Sequence, residues 1–137
     1  MKEENINKLR FAVIDASLVA SFLMPDEQGD FALKIFDRNT LGKLKLLSTF
    51  LLPFEVSNLL FAAVRSKRVD KNLALKLLKR FLKFKIELLP VDYERVLTTS
   101  IDCEISVYDA SYLFLAEKEK LQLLTLDRRL KSFTDQN

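Results

Sequence analysis

Asp15, Glu55, Asp109 and Asp127 are the side chains through which this chain could do chemistry. Asp15 closes the apolar run FAVI and Asp127 follows LLTL, so each is predicted to stand at the carboxyl end of a buried strand. Glu55 and Asp109 fall at the starts of predicted helices that open toward the same edge. Taken singly, each acid is well accounted for as a cap, because a carboxylate satisfies free backbone amides and suits the helix macrodipole. Together they change the balance. Four carboxylates crowded into one pocket repel one another and need a counter-charge to stay ionised. Mg²⁺ and Mn²⁺ favour hard oxygen ligands, keep several waters and are held by a few carboxylates plus substrate phosphate. Such ions activate water and steady the charge of an in-line phosphodiester displacement, so the pattern favours phosphoryl chemistry over acyl transfer.

What is missing narrows the field. The 137 residues include no histidine, which removes Ser-His-Asp and Cys-His pairs, imidazole acid–base couples and His-rich zinc sites. The single Cys103 can form neither an internal disulfide nor a thiolate cluster, so a cytoplasmic location is expected. Met1 to Arg10 is polar and Phe11 to Met24 mostly apolar, but Asp15 within that run suits neither a secretory core nor a membrane span. A soluble, unprocessed chain with no membrane partner is expected. Lys and Arg number 22 against 19 Asp and Glu, so any basic patch must be local.

The elements that position these acids can be read from periodicity. The length fits one domain over residues 1–137, and the low glycine and proline content fits a compact, helix-rich fold. Strands are predicted at Leu9 to Ile14, Leu44 to Ser48, Ile86 to Val91 and Leu121 to Leu126. Helical spacing marks Ser17 toward Met24, Asp30 to Arg38, Phe54 to Arg65, Lys71 to Phe84, Asp92 to Ile101 and Tyr108 to Lys118, with a short last helix from Arg128 to Phe133. Strands alternating with helices imply parallel pairing through right-handed crossovers, hence a three-layer α/β/α sandwich around a central, mainly parallel sheet. In such sheets ligands gather outside the carboxyl ends of the strands, where the four acids are expected.

VIDASLVASFL (Val13 to Leu23), PFEVSNLL (Pro53 to Leu60), SVYDASYLFLAEK (Ser106 to Lys118) and LLTLDRRL (Leu123 to Leu130) together closely resemble, in order and across the chain, the motifs of the PIN-domain nuclease family. In that family the first strand ends in Asp, and an early helix carries Glu with Asn three residues later. A later helix begins with a YDA-type Asp, and the last motif is T-x-D. Here those positions are Asp15, Glu55 with Asn58, Asp109, and Thr125 with Asp127. The small form is similar to the VapC-like toxins of toxin–antitoxin pairs. The resemblance implies a Mg²⁺- or Mn²⁺-dependent endoribonuclease that forms homodimers and is silenced by a cognate antitoxin. It implies that Asp15, Asp109 and Asp127 are metal ligands and that Glu55 binds the metal or a water on it. It also implies that the hydroxyls of Ser17 and Thr125 support the ligands and that Asn58, on the helical face of Glu55, steadies that carboxylate or meets substrate. Two features depart from the family pattern: the loop before SVYDA reads DCEI where relatives often carry glycine, and residues 26–43 hold no matching motif.

Lys43, Lys45, Arg65, Lys67, Arg68, Arg128 and Arg129 are the candidate phosphate contacts near the acids, and Arg128 and Arg129 are preferred for binding substrate because they directly follow Asp127. The basic run from Lys76 to Lys85 reads as a solvated helix face. The phenylalanines read mostly as core, with Phe31, Phe36, Phe81 and Phe84 alternatively a dimer or partner surface. Tyr108 and Tyr112 read as helix packing rather than base stacking, and Cys103 is assigned no role. A receiver domain would pair acids at the first strand with a Lys at the last, and a haloacid-dehalogenase-like phosphatase would carry D-x-D, so D-A-S disfavours both. Two other functions stand beside RNA cleavage. One is an RNA- or partner-binding PIN-like module that does not cut, against which the presence of all four acids argues. The other is a structure-specific DNA nuclease, which the same metal chemistry would serve.

Overall fold

The computed structural model describes residues 3–134. Helix α1 (Glu3–Lys8) and strand β1 (Phe11–Ile14) lead into α2 (Ala16–Leu23), α3 (Asp30–Thr40) and β2 (Lys45–Thr49). There follow α4 (Leu52–Arg65), α5 (Lys71–Leu82), β3 (Ile86–Leu89), α6 (Tyr93–Cys103), α7 (Val107–Glu119), β4 (Leu123–Leu124) and α8 (Arg128–Thr134). The four strands lie in the order β3-β2-β1-β4, all pairs parallel. From β1 the chain steps outward through β2 to β3 and then returns to lay β4 on the other side of β1. Strand order therefore reverses between β1 and β4, and a crevice opens at their carboxyl ends. The register pairs Val13 with Leu123 and Ile14 with Leu124, which brings the next residues, Asp15 and Thr125, side by side.

Local chemistry sets the helix ends. Asp15 Oδ1 accepts the Leu18 N–H at 3.2 Å and starts α2, and Pro25 ends it by holding Met24 extended. Asp70, Asp92 and Ser106 cap α5, α6 and α7 in the same way. Ala12, Val13 and Ile14 are fully buried, as a parallel strand covered on both faces requires. Helix α7 lies against β1, β2 and β4 and backs onto α6, while α2 packs with α3, α4 and α5. Ala110 to Ala116 are all buried, so the middle of α7 has no solvent face and is the centre of the core.

Several features differ from the sequence expectation. The polar lead contains α1, anchored by buried Ile6 and by the Arg38 guanidinium, which donates to the carbonyls of Ile6, Asn7 and Leu9. An arginine on α3 thus satisfies the free carbonyls at the end of α1, a long-range effect without a local signature. The last strand shrinks from the expected Leu121 to Leu126 to Leu123–Leu124, since as an edge it pairs with β1 alone. Phe36 and Phe81 are buried and Phe31 packs against the core, while the Phe22, Phe36 and Phe84 rings stack with centroids 4.4 to 5.2 Å apart. Phe36 and Phe81 are therefore core rather than a partner surface, with Phe31 and Phe84 half-buried against that core. In the DCEI loop, Glu104 takes φ 55° and ψ 43°, the left-handed C-terminal position that glycine fills most readily. Among the described residues, no helix is long and apolar enough to cross a membrane.

Candidate active site

The carboxyl ends of β1 and β4 frame a solvent-open cavity of about 540 Å³ whose lining includes Asp15, Ser17, Glu55, Asp109, Tyr112 and Asp127. Asp15 is the deepest acid. Its Oδ1 accepts the Ser17 hydroxyl at 2.7 Å and its Oδ2 accepts the Thr125 hydroxyl. Ser17 Oγ in turn accepts the Leu126 N–H at 2.9 Å, and Thr125 Oγ1 accepts the Asp127 N–H at 3.0 Å. Each hydroxyl therefore donates to Asp15 and accepts from the backbone leading out of β4, stitching the two strand ends together. Asp127 Oδ1 accepts the N–H groups of Arg129 and Leu130, starting α8. Asp109 lies in the first turn of α7, its N–H held by the Ser106 hydroxyl at 3.0 Å. Glu55, in the first turn of α4, accepts the Tyr112 hydroxyl at 2.8 Å.

Burial and mutual repulsion act on these acids in the same direction. Burial raises the Asp15 carboxyl above the usual carboxylate range despite its three donors, and Asp127 adds to the rise. Glu55 is raised by burial and by Asp109 and Asp15, with the Tyr112 hydroxyl opposing. Asp109 is raised by burial and by Asp127, with Ser106 and Arg129 opposing. Asp127 thus acts on Asp15 and Asp109, and these two act on Glu55, so positive charge brought to the cavity relieves the three raised carboxyls.

The structure gathers the four predicted acids with Ser17 and Thr125, and leaves others outside. Asn58 is exposed, one turn beyond Glu55, and does not line the cavity. Arg128 is exposed and away from the lining, whereas Arg129 acts on Asp109 and donates to the Glu104 carbonyl. Lys43 and Lys45 lie at the amino ends of the strands, on the edge opposite the acids, because both precede or begin β2 rather than follow it. Arg68 is held by Asp26 and Glu27, each at 2.8 Å. Tyr112, expected only to pack, also positions Glu55. It falls three residues after Asp109, one turn along the same helical face, and that spacing is the signal for it. Glu27 lines the rim from a segment in which no motif stood out.

The donor set is all oxygen and suits a hard divalent cation rather than zinc. Among the described residues, no three Asp, Glu or Cys side chains stand close enough in this structure to grip an ion directly.

Comparison with known proteins agrees with this architecture. The PIN domain family model matches residues 12–135. Ribonuclease VapC3 of Pyrobaculum aerophilum is 32% identical over 122 residues, spanning 86% of this chain and 90% of that protein. Exonuclease VapC9 of the same organism is 36% identical over 101 residues, spanning 72% and 74%. The crystal structure of PAE2754 from Pyrobaculum aerophilum superposes with a TM-score of 0.71 at 28% identity, covering 92% of this chain and 80% of that one. Mycobacterium tuberculosis VapC20, a sarcin-ricin loop cleaving toxin, superposes at 0.60 with 18% identity over 89% and 94%, a likeness of fold.

Proposed function

This chain belongs to the PIN-domain family, and on that premise we propose that it is a Mg²⁺- or Mn²⁺-dependent endoribonuclease acting as one domain, the toxin of a toxin–antitoxin pair. The observation that carries the reading is the convergence of Asp15, Glu55, Asp109 and Asp127, from four separate segments, on one open cavity at the switch point of the sheet. Asp15, Asp109 and Asp127 would hold the metal, with Glu55 on the metal or on a water beside it, and the bound ion would supply Lewis acidity to the scissile phosphate and to water. The chain's own contribution is positioning. Ser17 and Thr125 lock Asp15, and Tyr112 engages Glu55 Oε1, leaving Oε2 to orient water or take its proton. A carboxyl raised by burial is a stronger base than one in water, which suits that role. Arg129, beside Asp109, is the nearer of the two arginines for a substrate phosphate.

The cavity lies open at the surface, which lets a strand pass through it and favours internal cleavage over attack on an end. A cognate antitoxin and a second copy of the chain are the expected partners. Exposed Phe54 and Phe61 on α4 and Tyr93, Leu97 and Ile101 on α6 offer apolar surface for them. The deciding experiment is incubation of circular and linear RNA, with matched DNA, in Mg²⁺, Mn²⁺ or EDTA, using wild type and Asp109→Asn. Metal-dependent opening of circular RNA, lost in the folded variant, is expected. Equal cutting by Asp109→Asn, with contaminating nuclease excluded, would overturn the assignment, and degradation of linear RNA alone would make the enzyme an exonuclease.

A further inference from the structure

On the opposite edge of the sheet from the acids, at the amino ends of β1 and β2, lies a cavity of about 670 Å³ whose described lining carries Lys8, Arg10, Arg38, Lys43 and Lys45 and no carboxylate. Its walls come from the end of α1, the first residue of β1 and the turn from α3 into β2. The Arg38 guanidinium closes it from behind, donating to the carbonyls of Ile6, Asn7, Leu9 and Lys43. Carbonyls accept hydrogen bonds without cancelling charge, so Arg38 both knots these segments and keeps the pocket positive. Lys8, Arg10, Lys43 and Lys45 are exposed, and among the described residues none of them is in an ion pair. Phe11 stands among them 45% exposed, with Lys45 Nζ 5.7 Å from its ring centroid. A cationic groove with an accessible aromatic face is the combination that holds single-stranded nucleic acid, the cations tracking phosphates and the ring stacking on a base.

The acid edge needs such a complement. The described lining of the acid cavity includes no Lys or Arg, so beyond Arg129 beside Asp109 and a bound ion, a polyanion gains affinity from positive charge elsewhere on the surface. The four residues of β1 span about 13 Å, so the two edges are close enough for one strand to reach round the sheet from one to the other. We propose that this basic pocket binds the phosphate backbone of single-stranded RNA, with Phe11 as a stacking surface, at a site separate from the cleavage centre. The choice of RNA rests on the nuclease reading; the anion-binding character of the pocket does not.

The test is fluorescence anisotropy with a labelled oligouridylate about a dozen nucleotides long, in EDTA so that binding is read without cleavage. The protein is wild type, the combined Lys8→Gln, Lys43→Gln and Lys45→Gln variant, and Phe11→Leu. Removing three phosphate contacts should weaken binding roughly tenfold or more and lower the slope of log affinity against log salt by about 2. Phe11→Leu should weaken binding several-fold and leave the slope unchanged. All substitutions are at exposed positions, and matching melting curves exclude unfolding as the cause. A wild type that does not bind, or a triple variant with wild-type affinity and slope, would overturn the proposal. Adding Mn²⁺ afterwards separates the two readings. RNA that is bound through these lysines but not cut upholds the pocket and leaves the nuclease to the circular-RNA experiment, and RNA that is cut with affinity indifferent to the lysines refutes the pocket alone.

Discussion

Replacing Tyr112 by Phe should move the acid limb of the RNA-cleavage profile toward higher pH by about one unit, with the plateau above it retained. The hydroxyl of Tyr112 donates to Glu55 Oε1 at 2.8 Å, and the ring is buried in the middle of α7. A hydrogen bond to a charged acceptor contributes about 1.5–3 kcal/mol net. Glu55 is only half-buried, so water takes up part of the loss and about 1–1.5 kcal/mol remains, near the 1.36 kcal/mol that corresponds to one pKa unit. The sign follows from the groups around it. Burial, Asp109 and Asp15 raise Glu55, and Tyr112 opposes them, so removing the hydroxyl raises Glu55 further. Only ionised Glu55 can take a proton or meet a metal, so activity is lost as pH falls through a value already above that of an ordinary glutamate. The linked stability runs the other way. With its folded pKa raised, Glu55 contributes fully below its unfolded pKa, and that contribution fades as pH rises through the folded value, over a wider window in the variant. Initial rates across pH 4 to 9, paired with melting curves, read both effects. An unmoved limb with a uniformly lowered plateau would show that Tyr112 serves only packing, and the positioning argument would fail.

Other consequences of the same arrangement are open to simple measurement. Mg²⁺ or Mn²⁺ at 100 times its Kd should stabilise wild type by about 2.7 kcal/mol, seen as a rise in melting temperature, and Asp15→Asn or Asp127→Asn should show a much smaller rise. Equal rises in all three would remove the metal reading. Glu104→Gly should stabilise the fold by up to about 1 kcal/mol, because glycine takes the left-handed backbone at that position without strain; a urea midpoint that stays put or falls would contradict this.

The parts of this molecule legible in its sequence are those where a single local rule decides. Asp15 and Asp127 can be placed because each directly follows an apolar β-prone run, and Asp109 because SVYDA carries a capping serine three residues before it. The alternation of strands and helices is enough for the parallel sheet and its carboxyl edge. What escapes depends on distance in sequence. Helix α1 is stabilised by Arg38 from another element, and its own six residues offer little amphipathic pattern. The length of β4 is set by having β1 as its one partner rather than by LQLLTL itself. Lys43 and Lys45 read as phosphate contacts near the acids because their charge is visible in sequence and their edge of the sheet is not. Knowing that β2 runs parallel to β1 and begins at Lys45 puts them at the amino edge.

The hydroxyl residues explain why the acids come in short, spaced motifs. In D-A-S, Ser17 lies two residues past Asp15, and in T-L-D, Thr125 lies two residues before Asp127. With β1 and β4 in register, both hydroxyls arrive at the same carboxylate. Each has one proton to give and lone pairs to receive, so giving to Asp15 leaves each free to accept an N–H from the chain emerging from β4. One pair of hydroxyls thereby fixes the buried acid and aims the backbone that carries the exposed one. Alanine at either position would leave a donor unmatched and Asp15 short of a partner. The consequence is a division of rigidity. Asp15 has donors on both of its oxygens, while Asp127 is held at Oδ1 alone by the N–H groups of Arg129 and Leu130 and Asp109 stands half-buried in the first turn of α7. A site built so has one carboxylate fixed at both oxygens and others less fully engaged, which would suit a hard cation whose shell includes water and substrate oxygens.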